Sequence, residues 1–259
     1  MAANEEKERW NVASHPYQKR RASFSSQPDP GSAEIHRPAS LVEAYQALKH
    51  SYRNYDTKVA LRRMQALRRS VQELNRRGYA IALELLGSLN FGLVESSSDV
   101  DCILLHYCHE HLHEGECGLG CPNMIFKRDQ LLSILKEKTR GETFHIEFLD
   151  VLNLKYIEHW LEADSKPEHE PIMRFLFYRF LGRPVNRPLV IHYYEQLEAN
   201  PELMREFHEY GSQALSAYIQ TSGHRHSFTK YNERIQSHQI RLPRDLIEEL
   251  RNYLDLEQQ

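Results

Sequence analysis

The stretch Leu85-Leu86-Gly87-Ser88-Leu89-Asn90-Phe91-Gly92-Leu93, closed by Ser98-Asp99-Val100-Asp101-Cys102, decides how this chain is read. Ile81, Leu83, Leu85 and Leu86 lead into its first glycine, and Val100, Cys102, Ile103, Leu104 and Leu105 mark the strand that carries its aspartates. That is the composition of two buried strands joined by a polar, glycine-bearing turn. Asp99 and Asp101, at i and i+2 on a strand, share one face. Carboxylates that close repel each other unless a cation lies between them, and hard, oxygen-seeking Mg²⁺ suits that place when phosphates complete its ligands. Gly87 and Ser88 supply the complement: glycine lets backbone approach a phosphate, and a hydroxyl with free amides can hold its oxygens. The pattern asks for a nucleotide.

Taken together, Gly87-Ser88, Gly92-Leu93 and Ser98-Asp99-Val100-Asp101 resemble the signature of the DNA polymerase beta-type nucleotidyltransferase superfamily. The resemblance covers this core and, loosely, residues 57 to 150. It implies an α+β fold, a nucleotidyltransferase-type mixed sheet with flanking helices, followed here by an all-helical domain. It also implies a reaction, in which a nucleoside monophosphate moves from an NTP to an acceptor hydroxyl with release of pyrophosphate. By the same resemblance Asp99 and Asp101 hold two Mg²⁺ ions, Ser88 holds a distal phosphate, and Gly87, Gly92 and Ser98 complete the substrate-binding set.

A third carboxylate on a later strand, serving as catalytic base and Mg²⁺ ligand, is also implied by the resemblance, and Glu147 and Asp150 are the candidates. Phe144, Ile146 and Phe148 alternate toward the core, which turns Glu147 to the opposite face. Asp150 falls on the apolar parity at the strand end, where capping the next helix is a ready role. Glu147 is therefore the expected base, and a different strand register would pass the role to Asp150.

The acceptor stays open between a small molecule, an RNA 3′ end and a protein. Phe91 stands where many small-molecule members of the superfamily carry arginine, whereas Gly92-Leu93 is closer to the RNA-tailing members. A non-catalytic nucleotide-binding or regulatory module of the same fold is the alternative.

At 259 residues the chain has room for one large or two modest domains with a sizeable core. Its 41% hydrophobic and 27% charged residues are those of a soluble globular protein. A net charge of -3 gives no global attraction to nucleic acid, so any such surface must be local. No apolar run is long enough for a membrane, so no membrane partner is expected, and Met1 to Arg21 lacks the apolar centre of a signal peptide. A cytoplasmic location is expected, with the oligomeric state left open.

Three regions follow: a disordered N-terminal tail, 1–40; a nucleotidyltransferase catalytic domain, 41–151; and a helical C-terminal domain, 152–259. The tail is rich in Ser, Pro, Arg, Glu and Gln and cannot bury enough surface to offset ordering entropy. Within it, Arg20-Arg21-Ala22-Ser23 resembles a basic-directed phosphorylation site. From about Thr57 to Arg77, Ala60, Met64, Leu67, Val71 and Leu74 recur at spacings of three and four, a helix stripe that docks on a sheet. Arg62, Arg63, Arg68, Arg69, Arg76 and Arg77 are read as its solvated outer face. For an RNA acceptor, that face and Arg225, Lys230 and Arg234 are where phosphate contacts belong. After residue 152, successive helices run to a final one over 243–256, with 222–242 a basic loop.

The catalytic domain carries a Cys/His-rich insertion, 106–122. Thiolates and imidazoles are ligands of choice for Zn²⁺, and Cys108, Cys117 and Cys121 with a histidine among His106, His109, His111 and His113 complete a four-coordinate set. His113 is taken as the fourth. The spacing matches no common zinc motif, and a reduced, solvated loop is the competing reading.

Overall fold

Two helices lead into the sheet, α1 (Leu41–Tyr52) and α2 (Lys58–Arg76). Thr57 caps α2, its hydroxyl accepting from the Ala60 amide at 3.2 Å. The expected stripe of Ala60, Met64, Leu67, Val71 and Leu74 is buried along its length. Each of its larger members contributes about 1.5–3 kcal/mol of burial energy. The computed structural model describes residues 41–111, 117–139, 144–163 and 169–219, with Lys230, Glu233, Arg234, Gln236, Ser237, Arg244, Asp245 and Glu248 beyond them. The tail 1–40, the basic loop as a whole and most of the final helix expected from the sequence lie outside the described residues.

Four strands make one mixed sheet in the order β3-β2-β1-β4: β1 (Ile81–Leu85), β2 (Val100–His106), β3 (Ile146–Asn153) and the two-residue β4 (Arg183–Pro184). β2 and β4 each run antiparallel to β1, and β3 runs parallel to β2. Side chains alternate between two apolar layers. Leu83, Leu85, Cys102 and Leu104 pack on one face with α2 and with α4 (Pro122–Lys138), while Ala82, Ile103 and Leu105 pack on the other with α1. That second face is covered further by α5 (Leu154–Glu162), α6 (Glu170–Leu181), α7 (Ile191–Glu198) and α8 (Pro201–Ile219). Being covered on both sides is why β1 and β2 are near-continuous apolar runs. All of these elements belong to one compact unit.

Three elements differ from the sequence reading. The turn after Gly87 is a short helix, α3 (Gly87–Phe91). Helix α4 begins at Pro122 rather than Lys127, because proline at the first position needs no amide partner and has its φ preset. The region after β3 is not wholly helical, since Arg183–Pro184 return to pair with Glu84 and Leu85. A proline is tolerated there because β4 is an edge strand.

Candidate functional site

Asp99, Asp101 and Glu147 come together at the start of β2. Asp101 and Glu147 are direct partners in the parallel β2–β3 ladder, so their side chains leave the same face of the sheet. Burial, then Glu147, then Asp99 raise the Asp101 carboxyl above the usual aspartate range. The ladder carries a bulge immediately afterward: Cys102 faces Phe148 but Ile103 faces Asp150, leaving Leu149 as the extra, exposed residue.

Gly87 packs directly on this acidic group. Its φ is +56°, and a Cβ there would lie 1.8 Å from Asp101 Oδ2. Only glycine fits that conformation and that contact. Gly87 and Ser88 open α3, and with Ser97, Ser98, Asp99 and Asp101 they line one side of a cleft of about 670 Å³. Lys230, Glu233, Arg234 and Ser237 line the other side, and Arg234 straps the 93–95 loop by donating to Leu93 O and to Glu95 at 3.1 Å. The lining carries four carboxylates, Glu95, Asp99, Asp101 and Glu233, against Lys230 and a Glu95-paired Arg234, a net negative charge that suits a ligand bringing its own counter-cations, and the volume falls in the range of small-molecule sites. Glu147 is exposed beside the cleft rather than lining it.

Several expected residues have other duties. Gly92 is outside the cleft lining; its φ of +80° closes α3, and a Cβ would meet Asp56 Oδ1 at 2.0 Å. Asp56 is held there by the two terminal guanidinium nitrogens of Arg183, at 2.8 and 2.6 Å. Asp150 accepts from Arg174 Nε at 3.1 Å and from the Tyr178 hydroxyl at 2.6 Å. It does not cap α5; Asn153 does, accepting from the Lys155 amide at 3.0 Å. Arg63 leaves the solvated face assigned to it. It is buried, lies 4.6 Å from the Phe144 ring centroid, and donates to the Ser96 carbonyl at 2.7 Å and to the Ser98 carbonyl. It thus fixes the loop that carries Ser98 and Asp99, while Arg62, Arg68, Arg69, Arg76 and Arg77 are exposed as expected.

One neighbour of the acidic group went unread in the sequence. Tyr218, near the end of α8, is 42% exposed and outside the cleft lining, and partial burial followed by Asp101 pushes its phenol up. Lone tyrosines on amphipathic helices carry no sequence signal for such a place.

The insertion forms a second cluster. Cys108, His111, Cys117 and Cys121 could hold a metal ion, their ligand atoms all lying within 4.8 Å of one another. The histidine in this group is His111; His113 lies outside the described residues. Neither the spacing nor the composition of the loop distinguishes these histidines.

No family model matches the sequence, and no curated protein or solved structure shows significant similarity to the chain. Among the described residues no helix is long and apolar enough to cross a membrane.

Proposed function

We propose that this protein is a metal-dependent nucleotidyltransferase, moving a nucleoside monophosphate from an NTP to an acceptor hydroxyl and releasing pyrophosphate. The observation that carries the reading is the pairing of Asp101 with Glu147 across the ladder, with Asp99 alongside and Gly87 pressed against the Asp101 carboxylate. Asp99, Asp101 and Glu147 would hold Mg²⁺, and the donor set fits it: hard carboxylate oxygens, one of them disfavoured as an anion until a cation offsets its neighbours. When bound, Mg²⁺ supplies neutralisation of phosphate charge and activation of the attacking oxygen.

The chain's own residues do the rest. Ser88 donates its hydroxyl to a distal phosphate oxygen, and the main chain at Gly87 approaches closely because no side chain intervenes. Lys230 and Arg234 offset the triphosphate charge from the facing wall. The Glu147 carboxylate accepts the acceptor's proton at an oxygen beside Asp101. The acceptor is a small molecule, an RNA 3′ end or a protein; a non-catalytic nucleotide-binding module is the second reading, favoured by the exposure of Glu147 outside the cleft lining.

Each NTP, with Mg²⁺ and one acceptor class at a time, is the discriminating experiment, followed by pyrophosphate release and by mass of the acceptor. Product in one class identifies the substrate. Mg²⁺-dependent NTP binding with no product in any class supports the module instead, and no NTP binding at all rejects both.

A further inference from the structure

We propose that Cys108, His111, Cys117 and Cys121 bind one Zn²⁺ in a closed, structural site that fastens the β2–α4 connection to the far end of the sheet. Cys108 and Cys121 sulfurs are 3.8 Å apart, and His111 Nδ1 lies 3.2 Å from Cys108 Sγ and 3.8 Å from Cys121 Sγ. Zn–S bonds of about 2.3 Å and Zn–N bonds of about 2.0–2.1 Å at tetrahedral angles require edges of about 3.5–3.8 Å between ligand atoms. The edges among Cys108, His111 and Cys121 lie close to those of such a site, and Cys117 Sγ completes the group within 4.8 Å of the other three. Three soft sulfurs with one imidazole select zinc over the hard cations suited to the carboxylate cleft.

The surroundings are those of a built site. All three cysteines are buried and none is in a disulfide. Asn153, at the end of β3, accepts from the Cys108 amide at 2.9 Å and donates to the Cys108 and His111 carbonyls at 2.9 and 3.2 Å. One buried side chain thus fixes the backbone that presents two of the ligands, the supporting role that outer residues play around metals. The His106 ring nitrogen lies 3.1 Å from Cys117 Sγ, placed to donate to a metal-bound sulfur. Cys121 is the residue before α4, whose first turn it anchors.

Four protein ligands leave no position for substrate, which marks a structural rather than a catalytic metal. Asp101 and Cys108 also lie toward opposite ends of β2, separated by roughly 20 Å at the rise of an extended chain. The site is therefore independent of the nucleotidyl-transfer reading.

The test uses full-length protein purified without a metal-affinity tag. Elemental analysis is expected to give one zinc per chain, and Co²⁺ exchanged into the protein to give the intense visible bands of a tetrahedral, thiolate-rich site. His111→Ala lowers metal content several-fold, His111→Cys retains it, and His109→Ala leaves it unchanged. Should His111→Ala fail to fold, His111→Cys and the cobalt spectrum still decide. Metal below a tenth of stoichiometric with no cobalt bands would overturn the proposal, as would His111→Ala keeping full metal.

Discussion

Asp101 on β2 and Glu147 on β3 sit side by side in a parallel ladder, one register step before the bulge at Leu149. Counted across the bulge, Asp150 pairs with Ile103 and so returns to the face of Asp101 and Glu147, but its partners there are different. Glu147 stays with the aspartates, whereas Asp150 is turned to Arg174 and Tyr178. Glu147→Gln is therefore expected to lower nucleotidyl transfer by about 10²–10⁴-fold, the usual share of a general base, with NTP affinity little changed. Asp150→Asn is expected to cost about 1–3 kcal/mol of stability through its charge-assisted hydrogen bonds and to spare turnover. Single-turnover kinetics beside thermal melts separate the two, and the opposite pattern would make Asp150 the base.

Gly87→Ala tests the close approach of backbone to carboxylate. The left-handed conformation alone costs an L-residue about 1–2 kcal/mol, and the new methyl must also displace Asp101 Oδ2. Loss of Mg²⁺-dependent NTP binding with a modest drop in melting temperature is the expected result of calorimetry. Unaltered NTP binding would mean that the Asp101 carboxylate position is not used.

Arg63→Met keeps much of the side chain's apolar bulk under Phe144 but removes donors to the Ser96 and Ser98 carbonyls. Losing these charge-assisted hydrogen bonds is expected to cost about 1.5–3 kcal/mol, and freeing the loop that carries Asp99 raises KM for NTP. Steady-state kinetics and denaturant melts check both effects. A stability loss with unchanged KM would confine Arg63 to packing.

Much of this was legible because it depends on neighbours in sequence. Strand parity turned Glu147 away from Ile146 and Phe148, while its place beside Asp99 and Asp101 was implied by the family resemblance, and the α2 stripe gave that helix within a residue at each end. What was not legible depends on residues far apart along the chain. Arg183 reaches Asp56, and Arg174 reaches Asp150, only once the helices after β3 fold back over the sheet. Arg63 looked like one member of an arginine pair, and its burial follows from where the 95–98 loop closes. The density of cysteines and histidines left a metal site and a solvated loop both open, and the choice of histidine in the cluster depends on how Asn153 holds the Cys108–His111 turn.

Glu84, buried in β1, supplies a pH prediction. Burial foremost raises its carboxyl from the ordinary 4.5 to about 8, with Arg179 and Lys49 opposing. The folded chain holds that proton where the unfolded chain has released it. Its stabilising contribution is full below about pH 4.5 and is lost as pH rises through about 8. Relative to Glu84→Gln, the native chain should lose up to about 1.4 kcal/mol per pH unit across that window, or roughly 2–4 °C of melting temperature per kcal/mol. A constant difference between the two proteins from pH 5 to 8 would mean that Glu84 is ionised in the fold.

The most direct measurement is pyrophosphate release from NTP and Mg²⁺ over the acceptor panel, comparing the native chain with Asp99→Ala plus Asp101→Ala. Turnover by the native chain is expected to vanish in the double variant, while circular dichroism shows the fold retained. Full activity in the double variant would contradict the placement of the reaction at this acidic cluster.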